Sequence, residues 1–141
     1  MKKWNSLVFN IVTLLVALPV TMHGGDQTPL RSKFPGVKTI SIEQLNKEFN
    51  EVVIVDTRTD FEYDTIKING AINISIADRR FMVMLKSAIL DKNSKVVFYC
   101  NGFTCSKSYR ATIKAKEIGG YTNVFAFDAG IFLWGLTHPE R

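Results

Sequence analysis

The sequence predicts an α/β fold, a parallel sheet with helices on both faces. Two observations carry this. The segments "EVVIVD", "KVVFYC" and "NVFAFD" are nearly continuous apolar runs, as expected of strands covered on both sides. Between them stand stretches with helical spacing, so strands and helices alternate along the chain.

The elements follow in order. "VKTIS" (37–41) reads as a short first strand. "SIEQLNKEF" opens on Ser41 with Gln44 three residues later, the start of a capping-box helix. "EVVIVD" is the second strand, "RTDFEYDTI" a short helical turn and "GAINIS" a third strand. "ADRRFMVMLKSAI" places Phe81, Met84, Leu85 and Ala88 at helical spacing. "KVVFYC" is a covered strand ending on Cys100. "SKSYRATIKAKEIGG" reads as a helix with Ser106 at its N-cap and Gly119-Gly120 as its stop. "NVFAFD" is the last strand, and "GIFLWG" a terminal turn or helix.

The chain has 141 residues, 46% apolar and 22% charged, which suits one domain with a single core and argues against disorder. Its start differs in kind. Lys2 and Lys3 precede an apolar run from Leu7 to Leu18, broken by Pro19. Residues 1–22 therefore read as a secretory signal peptide, which implies an exported, periplasmic protein. No A-x-A cleavage pattern stands there, so an uncleaved membrane anchor tethering the domain is the alternative. Residues 23–36, rich in Gly, Pro and polar side chains, read as a linker, and the folded domain as 37–141. Net charge is +5, with two of the lysines in the leader. The other charges are dispersed, without basic blocks interleaved with aromatics, which argues against a nucleic-acid partner. A local positive pocket for a small anion remains open.

The chemistry centres on "CNGFTCSK". Cys100 ends a strand just ahead of a helix, where unpaired backbone N–H groups and the helix dipole favour a thiolate. The loop residues Asn101, Gly102, Phe103, Thr104, Cys105 and Ser106 are candidates for a nest of amides around an anion. Lys107 and Arg110 follow in the first turns of the helix and add positive potential. Asp56 ends another strand, and in such sheets ligands bind outside the carboxyl ends of the strands. Alternatives stay open at this point: Cys100 as a buried apolar residue, or Cys100 and Cys105 as a structural disulfide. His23 and His138 lie in the linker and the C-terminal tail, away from any catalytic pattern.

Four ordered segments from Val37 to Gly135 resemble a single rhodanese domain, the sulfurtransferase family. "VVIVDTRTDFEY" is similar to its D-x-R-x-x-x-E-[FY] opening, with Asp56, Arg58, Glu62 and Tyr63 in the matching places. "IKINGAINIS" resembles its second segment, "VVFYCNGFTCSKS" its active loop and "GYTNVFAFDAGIFLWG" its closing segment. The resemblance implies a five-stranded parallel sheet and a catalytic Cys100 that carries sulfane sulfur as a persulfide. It also implies a small sulfur-containing anion such as thiosulfate as donor, and a thiol, cyanide or protein as acceptor. No metal or organic cofactor is required.

This chain departs from the family's C-x-x-G-x-R loop: the glycine is one place early, and Cys105 stands where arginine is usual. Lys107, Arg110 or Lys67 is the expected replacement cation. Asp56 and Arg58 are further candidates for substrate contact, although an Arg58–Glu62 pair four residues apart also reads as fold-holding. A phosphatase loop, C-x5-R, would need arginine at position 106, where Ser106 stands. The rival reading is a thiol redox or sulfur-carrier module using Cys100 and Cys105. A loop spread around an anion is expected to hold the two cysteine side chains apart, leaving Cys105 dispensable.

Overall fold

A computed structural model describes residues 28–139. The leader at 1–22 lies outside these residues, and among the described ones no helix is long and apolar enough to cross a membrane. Strands β1 (Val53–Asp56), β2 (Ile72–Asn73), β3 (Val96–Tyr99) and β4 (Val124–Phe127) form one parallel sheet in the order β2-β1-β3-β4. Its register aligns Val53 with Val96 and Val96 with Val124, while Val55 faces Ile72.

The sheet thus has four strands where five were expected. Residues 37–41 contribute only one parallel bridge, Thr39 to Ala126. Lys38 accepts the Ala126 amide at 2.8 Å and Ile40 donates to the Ala126 carbonyl at 3.1 Å. Pro35-Gly36 on one side and the Ser41 helix cap on the other leave too few residues to extend the pairing. The "GAINIS" strand is likewise reduced to its Ile72–Asn73 pair.

Because neighbouring residues of a strand point to opposite faces, the apolar runs feed two cores. Val55, Val96, Phe98 and Val124 meet Phe81 and Leu85 of α3 (Phe81–Ala88) and Ala111 and Ala115 of α4 (Lys107–Glu117). On the other face Ile54, Val97, Tyr99 and Phe127 meet Leu45 of α1 (Ile42–Lys47) and Ile131 and Trp134 of α5 (Gly130–Thr137). The short α2 (Asp60–Thr65) follows β1.

The helix ends show how local chemistry sets the fold. Ser41 accepts the Gln44 amide at 3.2 Å, but the Gln44 side chain turns to Glu48, so only half of the expected capping box forms. A complete box stands instead at α2: Thr59 accepts the Glu62 amide, and the Glu62 carboxylate accepts the Thr59 N–H at 3.1 Å. Ser106 holds the N-cap position of α4, but with helical backbone angles and no side-chain cap bond. Gly120, at φ +74°, ends that helix as expected.

Of the segment expected as a linker, residues 28–36 pack on the domain. Arg31 reaches Asp128 through Nε at 2.8 Å and Nη2 at 3.2 Å, and Tyr109 donates its hydroxyl to the same carboxylate at 2.6 Å. Phe34 stacks on the Tyr109 ring at 4.9 Å. Residues 23–27 lie outside the described range.

Candidate functional site

Cys100 follows the last residue of β3 and is fully buried. The backbone there is held from α5. Ile131 donates its amide to the Cys100 carbonyl at 2.9 Å, and Phe132 to the Asn101 carbonyl at 3.1 Å. This close approach explains Gly130: its φ is +62°, and a β-carbon there would lie 2.5 Å from the Cys100 carbonyl oxygen. No other residue tolerates both the angle and the contact. The loop then turns at Gly102, whose carbonyl accepts the Cys105 amide at 2.8 Å, and enters α4. Within it Gly102 is buried, Phe103 and Ser106 half-buried and Thr104 exposed.

The two cysteines are both free. Cys100 Sγ lies 3.2 Å from the Cys105 carbonyl oxygen and 3.5 Å from Ser108 Oγ. Cys105 is half-buried.

The neighbouring Cys100 thiol draws Cys105 down to about 6; burial opposes this, and the nearby Lys107 and Asn101 backbone with the Lys107 charge reinforce it. The neighbouring Cys105, together with burial, pushes the Cys100 thiol up, against the expected lowering, and Ser108 offsets only part of that.

The other candidates divide into two groups. Asn101 and Lys107 belong to the loop, and both are held by a residue assigned a different partner from the sequence. Glu62 accepts the Asn101 side-chain amide at 3.1 Å and pairs with Lys107 Nζ at 3.4 Å. Partial burial works against ionisation of Glu62, but the Thr59 amide and hydroxyl, Asn101 and the Lys107 charge outweigh it and bring the carboxyl down to about 2. Lys107 is therefore partly neutralised, while Arg110 is exposed on α4. Lys67 lies with its Nζ 4.4 Å from the Tyr63 ring centroid.

Asp56 and Arg58 form the second group. Both are buried, and each is committed to the other: Arg58 Nη2 lies 2.6 Å from Asp56 Oδ2, and its Nε bonds both carboxylate oxygens. Arg58 also donates to the Ile66 carbonyl at 2.6 Å. The fold-holding partner of Arg58 is thus Asp56, not Glu62. The T-x-x-E pattern of "TDFE" was the signal for Glu62's place. For Ser108, buried beside Cys100, the signal was its position in the first turn of α4.

With this geometry in place, comparison with known proteins shows three things. The Rhodanese-like domain family model matches residues 41–137. The chain is 34% identical over 92 residues to a tRNA uridine(34) hydroxylase of Aster yellows witches'-broom phytoplasma, covering 64% of this chain and 29% of that protein. It is 36% identical over 93 residues to the protein of the same name from Wolbachia sp. subsp. Brugia malayi, covering 64% and 32%. The chain thus spans about a third or less of these curated relatives. Among solved structures, thiosulfate sulfurtransferase from Pseudomonas aeruginosa is similar in fold, with TM-score 0.66 and 23% identity over 79% of this chain and 21% of that one. A human single-domain sulfurtransferase is similar at TM-score 0.59 and 20% identity, covering 70% and 96%.

Proposed function

The chain belongs to the family of rhodanese-like domains, and on that premise we propose that it is a sulfurtransferase working through a Cys100 persulfide. The observation that carries this reading is the position of the Cys100 sulfur. It sits beyond β3 at the base of a short loop, with Ser108 of the first turn of α4 at 3.5 Å. Sulfur transfer needs a buried thiol beside groups that favour a negative charge, and no metal or organic cofactor.

The donor is a small anion carrying sulfane sulfur, thiosulfate being the simplest. Lys107, at the loop's end, supplies the nearest positive charge in place of the usual loop arginine, with Arg110 and Lys67 more peripheral. Acceptors are thiols, cyanide or a protein thiol. The tRNA in the relatives' names is not carried over. Many cations of this domain are already engaged, Arg31 with Asp128, Arg58 with Asp56, Arg80 with Asp78 and Lys95 with Glu48. The leader at 1–22 supports export to the periplasm, either free or tethered.

The test is the intact mass of the reduced protein after exposure to thiosulfate, with a cyanide assay beside it. Sulfur taken up by the parent and absent from Cys100→Ser supports the reading. Full transfer by Cys100→Ser defeats it.

A further inference from the structure

Residues 33–38 arch along α4 between two fastened points. At one end Phe34 stacks on the Tyr109 ring at 4.9 Å, next to the Arg31–Asp128 pair. At the other the Lys38 carbonyl accepts the Ala126 amide of β4 at 2.8 Å. Between them the Val37 amide turns back to the Phe34 carbonyl at 3.1 Å. The arch leaves a cavity of about 320 Å³ against the helix. That volume falls within the roughly 300–1,000 Å³ of small-molecule sites. Its lining comes from residues 33–38, the second half of α4 and the segment leading into β4, not from the cysteine loop.

Two chemistries meet in this lining. Val37, Ile113 and Val124 make an apolar wall. Lys33, Lys38 and Lys116 bring three positive charges against the one negative charge of Glu117. Arg31, Arg58 and Lys107 are each paired with a carboxylate, whereas none of these three lysines has an ion pair among the described residues. An apolar wall under a positive rim recognises an amphipathic anion. We propose that the cavity binds a small carboxylic acid with a compact aromatic or branched aliphatic body. The apolar part lies against Val37, Ile113 and Val124, and the carboxylate among the lysines. The site is separate from Cys100 and independent of the sulfurtransferase reading.

The same residues narrow the class. Lysine offers a point charge without the planar fork that arginine brings to phosphate, and among the described residues no arginine lines the cavity. Glu117 repels a polyanion, so a single carboxylate suits the rim better than the phosphates of a nucleotide. A sugar-like body finds few partners. Thr112 donates its hydroxyl to the Ser108 carbonyl at 2.9 Å, and the Thr122 hydroxyl is bonded to Asn93 at 2.9 Å. Because the arch is fastened at both ends, the cavity is formed before any ligand arrives, and binding orders little of the chain.

The experiment is amide chemical-shift mapping by NMR of the full-length protein titrated with phenylacetate. Its uncharged isostere phenylacetamide and acetate alone are titrated beside it. Phenylacetate should give saturable shifts centred on residues 33–38 and the second half of α4. Phenylacetamide lacks the charge and acetate the apolar body, so each should bind at least about tenfold more weakly. Lys33→Gln, Lys38→Gln and Lys116→Gln combined should weaken phenylacetate at least about tenfold. Lys86→Gln on α3 should bind as the parent does. All four lysines are exposed, so these variants keep the fold. Shifts centred on the Cys100 loop, equal affinity for phenylacetamide, or no saturable binding of phenylacetate would each overturn the proposal.

Discussion

Glu62 reaches out of α2 to accept the Asn101 side-chain amide at 3.1 Å, tying the helix after β1 to the loop after β3. The same carboxylate holds Thr59 and Lys107, so one side chain caps a helix, braces the loop and tempers the loop's cation. Its folded pKa of about 2 lies below its ordinary 4.5. A carboxyl depressed on folding contributes stability that is fully present above the ordinary value and lost as pH falls through the folded one. Acid unfolding should therefore gain a component between about pH 4.5 and 2. In Glu62→Gln that component should be missing from a urea titration repeated across pH, and an unchanged acid profile would count against the brace.

Lys107 carries the electrostatic side of donor binding. Lys107→Met should raise KM for thiosulfate by about fivefold, equivalent to roughly 1 kcal/mol, with kcat changed little. Freed of its partner in Glu62→Gln, the same lysine should lower KM. Both effects should fade in salt, because exposed charges are screened beyond about 8 Å at physiological ionic strength. Identical KM values in Lys107→Met and a Lys107, Arg110 and Lys67 triple variant would confine the charge effect to Lys107.

Arg58 is expected to matter for folding rather than for substrate. Replacing it with Met leaves Asp56 buried without its cation, which costs about 3–5 kcal/mol by analogy with broken buried pairs. Urea denaturation of Arg58→Met checks this. A loss of activity with stability intact would return Arg58 to the substrate.

Gly130 is the tightest point of the site. Gly130→Ala sets a β-carbon against the Cys100 carbonyl and forces an unfavourable φ, so we expect at least about 2 kcal/mol of destabilisation and loss of transfer together. Gly36 has open space and an ordinary backbone, and Gly36→Ala is the control expected to behave as the parent.

How far the sequence reaches is clear from these residues. The covered strands were legible because burial on both faces writes itself as an unbroken apolar run, as in Val96–Tyr99. The place of Cys100 at a strand's end came with them. Arg58 and Glu62 misled because spacing by four suggests a helical pair, yet α2 begins only at Asp60 and Arg58 folds back on Asp56. The first strand shrank to one bridge because its neighbours compete for the same few residues. The path of the loop after Cys100 is set by where α4 begins and by the Ile131 and Phe132 amides of α5, far along the chain, and no local pattern encodes it.

Arg31 and Asp128 lie 97 residues apart in sequence, so their bond closes most of the described chain into a ring. Closing so long a ring carries an entropic cost that grows only with the logarithm of its length. Asp128 is 2% exposed, and Arg31 is the cation that neutralises it. The edge of this domain is thus drawn by charge neutrality rather than by secondary structure. A chain cut back to Val37 would keep every strand and every α-helix, yet leave a carboxylate in the interior with a tyrosine hydroxyl and no countercharge.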